Sequence, residues 1–427
     1  MDTMTDTAVL ETAPAAALRI NGERLWQTLM DHGRIGATAK GGVCRLALTE
    51  LDRQGRDLFV QWCRDAGMQV RVDAIGNIFA RREGSDPTRA AVAMGSHIDT
   101  QPTGGKFDGI FGVMAALEVV RTLNERGVTT AAPLEVVAWT NEEGSRFVPV
   151  MMGSGVFAGA FTLEHALAAS DAQGLSVAQE LARIGYAGVQ TPGVVPGGMY
   201  AAYFEAHIEQ GPVLEAHDLV IGVVPGALGQ RWYDVTITGV ESHAGTTPMD
   251  LRGDALLAAA RLIEAVNRIA LQRAPYGRGT VGHLQVLPNS RNTIAGTVQC
   301  SVDLRALEDA DLLAMQEDLM ACVAELQGRN PRLHIAVKPV VYFPPCHFDA
   351  KCIASVREAA AGLGYQSMEV VSGAGHDAVY VANVAPAAMI FVPCKDGISH
   401  NEAEWAEPAH LAAGADVLLH AVLRYAS

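Results

Sequence analysis

Four short apolar runs in this chain stop at, or shortly before, an ionisable side chain. AAVAMG (90–95) gives way to Ser96 and His97, and LEVVAWT (134–140) leads into Glu142 and Glu143. MYAAYFEAHI (199–208) ends around His207, and the run 386–392 is followed by His400. Such runs read as buried strands of an α/β layer fold. Ligands of open α/β sheets bind beyond the carboxyl ends of strands. Histidines and carboxylates far apart in sequence are therefore expected to converge there. Asp108, set between a glycine-rich turn and a helix, belongs to the same group.

The remaining pattern divides the chain into blocks. Residues 1–17 read as a loose tail without the basic start of a signal peptide. From 18 to 225, helices alternate with strands; amphipathic helices are expected at 22–32 and 49–66, and a further helix at 109–126, which Gly127 terminates. From 226 to 340 the order is strand (231–240), helix (253–272), two strands (279–287 and 297–306), helix (309–327) and strand (332–341). That is the split βαβ order of small ferredoxin-like domains. Helix 349–363, strand 386–392 and helix 407–425 follow within 341–427. The order fits a compact α+β domain inserted into a larger α/β domain.

Composition narrows the partners. Lys and Arg number 32 against 47 Asp and Glu, a formal charge of −15 with no dense basic block. This argues against a nucleic-acid or anionic-membrane partner. No apolar run reaches the roughly 20 residues that cross a bilayer. The seven cysteines are scattered and form no CxxC, which suits structural thiols in a reducing cytoplasm.

Taken singly, the candidate residues are weak markers. A strand-end histidine is most often a satisfied polar group, an acidic pair a solvated face, and Asp108 a helix cap. Their joint placement points to divalent ions held by His nitrogen and carboxylate oxygen, with one carboxylate able to bridge. In an extended His97-Ile98-Asp99 both polar side chains fall on one face, so Asp99 is expected to hydrogen-bond the far ring nitrogen of His97. Glu142 and Glu143 are expected to point opposite ways, one toward metal and one toward water. Their proximity raises the pKa of one of them, as a general base requires.

Eight segments carry a more specific signal: GSHIDTQPTGGKFDG (95–109), WTNEEGSRF (139–147), FEAHIEQGP (204–212), ESHAGTTPMDLRGDAL (241–256), PNSRNTIAG (288–296), DLR (303–305), SGAGHDA (372–378) and GISHNEAEW (397–405). In this order they resemble the signatures of the hydantoinase/carbamoylase amidases, relatives of the dizinc aminoacylases and carboxypeptidases. The resemblance implies a dizinc-peptidase-like catalytic domain with the inserted ferredoxin-like domain as lid and dimerisation module. It implies two divalent metal ions per subunit, zinc foremost, with manganese, nickel or cobalt as alternatives. His97 and His207 would hold one ion, Glu143 and His400 the other, and Asp108 would bridge both. Glu142 would be the general base. His243, reaching the partner subunit's site, would polarise the scissile carbonyl. Gln210, Asn292 and Arg305 would hold the substrate, with Arg305 on its carboxylate. Read without the resemblance, Arg305 is a strand-end charge and His243 a loop residue. His376 is expected at the pocket floor and His283 on a strand face.

The implied activity is hydrolysis of a small carboxylated ureido substrate, an N-carbamoyl α- or β-amino acid, to amino acid, carbon dioxide and ammonia, in a cytoplasmic homodimer. An allantoate amidohydrolase is the alternative. A silent carboxylate-binding protein would need a lost ligand or base, and none is visible. A peptidase or aminoacylase is disfavoured by His207, where peptidase relatives usually carry a carboxylate.

Overall fold

The computed structural model describes residues 18–427, so the tail expected at 1–17 lies outside the described residues. The chain sorts into two compact units. One runs to Pro225 and takes in Phe348–Val370 and Gly375–Ser427; the other comprises Gly226–His347 and Val371–Ala374. The chain returns to the first unit at 348 rather than at 341. The strand His334–Phe343 outruns its expected end, and Cys346–His347 pairs with Gly226–Ala227.

The first unit is built on an eight-stranded sheet in the order Gln69–Val72, Ile78–Arg82, Leu134–Trp139, Val92–His97, Ala202–Ile208, Ala387–Val392, Ile221–Val224, Ser367–Glu369. The four central strands, from Leu134–Trp139 to Ala387–Val392, are mutually parallel. Every residue in them is buried. That explains their unbroken apolar character: a strand covered on both faces has no solvent side to mark with polar residues. Helices Ile110–Glu125, Ala350–Gly362 and Pro408–Ala426 pack against it. Local chemistry sets helix starts: the Asn21 side chain accepts the Arg24 N–H, and Thr49 accepts that of Asp52. The outer strands and the short helices Met152–Phe157, Leu163–Ala168 and Val177–Ile184 are additions to the sequence reading.

The second unit shows the opposite pattern. Its strands run Arg278–Thr280, Thr297–Ala306, Gly229–Thr238, His334–Phe343, with Leu284–Leu287 also on Thr297–Ala306, and all pairs are antiparallel. With Arg278–Thr280 and Leu284–Leu287 counted together as the second strand of the chain, this is the ferredoxin-like arrangement. Burial alternates along Thr297–Ala306, with Val298, Val302 and Leu304 facing Leu262, Val266 and Leu319 of the helices Ala255–Leu271 and Asp309–Arg329. The single strand expected at 279–287 is broken. Thr280 pairs with Asp303 and Leu284 with Cys300, one residue more on this side than on the partner, so the ladder parts between them. His283 lies in that break, exposed, and not on a strand face. Among the described residues no helix is long and apolar enough to cross a membrane.

Candidate active site

Parallel pairing delivers the polar groups to one edge. His97 closes its strand opposite Trp139, and the chain beyond Trp139 turns through Asn141 into Glu142 and Glu143. His207 lies opposite Phe391, near the end of the strand that leads on to His400. Asp108 sits before the helix Ile110–Glu125, but its side chain does not cap that helix. Gly109 explains why: its φ is +67°, and a Cβ there would lie 2.2 Å from the His97 ring. The glycine turns the chain and leaves the imidazole room to reach Asp108.

The Asp108 carboxylate is 5% exposed and its two oxygens face different partners. Oδ1 lies 3.2 Å from His207 Nε2 and 3.6 Å from His97 Nε2, while Oδ2 lies 3.2 Å from His400 Nε2. His400 Nε2 is also 3.3 Å from Glu143 Oε2, and Glu142 Oε2 is 3.5 Å from His97 Nε2. Among the described residues three groups of prospective metal-holding atoms each lie within 4.8 Å. His97–Asp108–His207 and Asp108–Glu143–His400 meet at Asp108, and Glu205–His207–His376 shares His207 with the first. The donor chemistry fits divalent ions. Nδ1 of His97 is 2.9 Å from the Asp99 carbonyl and Nδ1 of His207 is 2.8 Å from the Ile208 carbonyl. A carbonyl only accepts, so both rings carry a proton on Nδ1 and turn Nε2 toward Asp108, the tautomer metal binding needs.

Electrostatics separate the two glutamates. Burial pushes Glu142 well above the ordinary carboxylate range; His97 opposes this, while Asp377, Glu143 and Asp99 reinforce it. Burial also lifts Glu143 to about 7, with Asp108 adding to it. A carboxylate tuned upward in this way is suited to taking and returning a proton near neutral pH.

Asp99 departs from the expectation. The strand ends at His97, so the period of two does not carry its carboxylate to the ring. The two oxygens instead accept the N–H groups of Glu142 and Glu143, each at 3.2 Å, fixing the turn that presents both glutamates. Gln210, expected on substrate, donates to Asp108 Oδ2 at 2.9 Å and to Ser399 Oγ at 3.1 Å. Asn141, Gln210 and His400 all adopt left-handed backbone, φ +54°, +56° and +53°. Non-glycine residues held there cluster at functional sites. His376 is buried, edge-on to the His207 ring at 4.6 Å between centroids.

Three acids were missed by sequence reasoning. Glu205 accepts the Ser96 hydroxyl at 2.6 Å, and Asp377 accepts that of Ser154 at 2.5 Å, both fully buried beneath the histidines. Glu404, also buried, accepts the N–H groups of Phe107 and Asp108. Each lies within a segment singled out above, but only the folded chain gives it a direction.

In the second unit, His243 is exposed and pairs with Thr293 in a two-stranded ladder, where the Ala244 N–H donates to the Asn292 carbonyl. The exposed Asn292 side chain is 3.2 Å from the Ser290 hydroxyl. Arg305 donates Nε and Nη2 to the Asp303 carboxylate and Nη1 to the Gly373 carbonyl. His243 and Asn292 thus share one ladder, and Arg305 stands on another strand.

Residues 93–424 match the model of peptidase family M20/M25/M40, and the chain belongs to that family. Within it the chain is one of the hydantoinase/carbamoylase amidases. It is 48% identical to an N-carbamoyl-L-amino-acid amidohydrolase of Rhizobium meliloti, over 97% of this chain and 99% of the relative. It is 41% identical to an N-carbamoyl-L-amino acid amidohydrolase of Geobacillus stearothermophilus, over 95% and 99%. A solved hydantoinase/carbamoylase family amidase from Burkholderia multivorans superposes with a TM-score of 0.93 at 55% identity, over 96% of this chain and 99% of that one.

Proposed function

We propose that this protein hydrolyses the carbamoyl C–N bond of N-carbamoyl amino acids. The observation that carries the reading is the split Asp108 carboxylate, one oxygen toward each histidine group, with the buried Glu142 beside it. The names of the two amidohydrolase relatives supply the substrate class. His97, His207 and Asp108 would hold one divalent ion and Asp108, Glu143 and His400 a second, zinc foremost, with manganese, nickel or cobalt as alternatives. Bound there, such ions supply Lewis acidity toward water and toward the carbonyl oxygen.

Glu142 takes a proton from the attacking water as oxygen bonds to the ureido carbon, and returns it to the amino nitrogen as the C–N bond breaks. The products are the free amino acid and a carbamate, which falls apart to carbon dioxide and ammonia. Arg305 offers a planar fork suited to the substrate carboxylate. His243 is a donor suited to the developing oxyanion, and Gln210 and Asn292 complete the contacts. In this reading the second unit is a lid and dimerisation module, His243 serves the partner's site, and the enzyme is a cytoplasmic homodimer. Exposed apolar side chains on that unit, among them Leu256, Leu257, Leu271, Leu284 and Leu287, support an interface.

The test is ammonia release by metal-reconstituted protein from N-carbamoyl-β-alanine, N-carbamoyl-L-methionine and allantoate side by side. Turnover of a carbamoyl amino acid is expected; preference for allantoate would replace the substrate, and silence on all three with metal bound would overturn the reaction. For the dimer, an inactive His243→Ala chain mixed with an inactive His400→Ala chain is expected to regain activity. Absence of recovery argues against sharing.

A further inference from the structure

We infer that Glu404 is a positioning residue that lashes the Asp108 turn to the His400 loop, so that the two metal-holding groups form together. The inference rests on the metal reading above and concerns a residue given no part in it. Glu404 is 4% exposed, and every contact of its carboxylate points at the site's frame. Oε1 accepts the Phe107 N–H at 2.9 Å and the Asp108 N–H at 3.1 Å. Oε2 is 3.0 Å from the Ser399 hydroxyl, which itself lies 3.0 Å from Asp108 Oδ2. One side chain thus grips the backbone on which Asp108 is carried and, through Ser399, the oxygen that faces His400.

The fit is close from the other side as well. A Cβ on Gly105 would fall 2.0 Å from Glu404 Oε1, so the glycine-rich turn is shaped around this carboxylate. The loop holding Glu404 is closed on itself, with the Glu404 N–H on the Asn401 carbonyl and the Ala403 N–H on Asn401 Oδ1. His400, in left-handed backbone, lies just before that closure. Among the described residues no other side chain of the His400 loop accepts the Phe107 and Asp108 N–H groups. Without Glu404 the restraint between the two segments falls to the Ser399–Asp108 bond and the Asp108–His400 pair. The group Asp108–Glu143–His400 should suffer more than His97–Asp108–His207, whose two rings are fixed by carbonyls of their own segments.

Groups that orient metal-holding side chains are worth roughly 10–100-fold in metal affinity. Competition between the full-length protein and a zinc chelator dye reads this directly, with no substrate present. Glu404→Ala and Glu404→Asp are expected to weaken the second zinc by at least tenfold and the first by less. Glu404→Gln keeps an acceptor for both N–H groups and is expected to restore binding to within a few-fold of wild type. Val356→Ala, a core cavity placed on a helix outside the site, controls for simple loss of stability and should leave zinc affinity unchanged. If Glu404→Ala does not fold, the shortened Glu404→Asp carries the comparison. Equal zinc affinity in wild type and both weakened variants overturns the inference and leaves the metal reading intact. A wild type that binds no zinc overturns both, and a substrate other than a carbamoyl amino acid touches neither.

Discussion

The two units hold their polar residues in opposite ways. In the first, His97, Asp108, Glu142, Glu143, His207 and His400 each lie within ion-pair distance of at least one other of the set, and all but His400 are buried. In the second, His243 and Asn292 are exposed and Arg305 is engaged by Asp303 and Gly373. The difference follows from the sheets. Strands buried on both faces bring their ends to a closed edge, whereas a sheet with one solvated face leaves its polar residues accessible. The histidines and carboxylates of the first unit are therefore in contact where burial can tune them, whereas His243 and Asn292, proposed to act on the substrate, sit on an exposed ladder.

If that division holds, the largest effect belongs to the first unit. Glu142→Gln is expected to lower kcat by about 10²–10⁴-fold, the worth of a positioned general base, while zinc binding stays intact. A variant that keeps its turnover would remove Glu142 from the proton-transfer role. Arg305→Lys probes the second unit. Loss of a planar fork to a carboxylate corresponds to about 1.5–3 kcal/mol, or roughly 10–150-fold in kcat/KM, expressed in KM rather than kcat. A kcat effect with unchanged KM would place Arg305 in the chemistry and break the contrast.

The smallest effect tests how firmly the first unit is preassembled. Asp73 is 1% exposed and accepts the backbone N–H groups of Ile75 and Asn77 as well as the Asn77 amide, which in turn accepts the Thr140 N–H ahead of the Glu142 turn. Burial pushes the Asp73 carboxyl up to about 6 from an ordinary 3.8, against these hydrogen bonds. The folded chain therefore holds this proton more tightly than the unfolded one. The resulting stability is fullest below about pH 4 and is lost as pH rises through about 6. Asp73→Asn is expected to flatten the change between pH 4 and pH 7 by about 2 kcal/mol in urea unfolding. Parallel pH curves for the two proteins would show that the charge is tolerated without cost.

How much of this was legible depends on what each residue's neighbours are. The central strands announced themselves because burial on both faces writes an apolar run. Gln69–Val72 and Ser367–Glu369 did not, being short, partly exposed edge strands whose pattern is set by their neighbours. The convergence of His97, Asp108, Glu142, Glu143, His207 and His400 was readable from their positions at strand ends, with the family resemblance supplying the separate roles. Asp99 was misdirected because strand periodicity was carried past the end of the strand. Glu404 escaped notice because spacing along a loop carries no direction; only the closed loop turns its carboxylate toward Phe107 and Asp108.

The strand order has a consequence for synthesis. Ala202–Ile208 lies between Val92–His97 and Ala387–Val392, so a neighbour it needs is made only after the whole intervening second unit. At about 5–20 residues per second, a growing chain waits on the order of ten seconds or longer for that neighbour. Meanwhile the second unit, nearly all contiguous in sequence, has almost everything it needs to close. In a ribosome-bound chain that has not yet exposed Ser399 and His400, Asp108 Oδ2 has Gln210 but neither of those two partners. The group Asp108–Glu143–His400 is thus assembled later than His97–Asp108–His207.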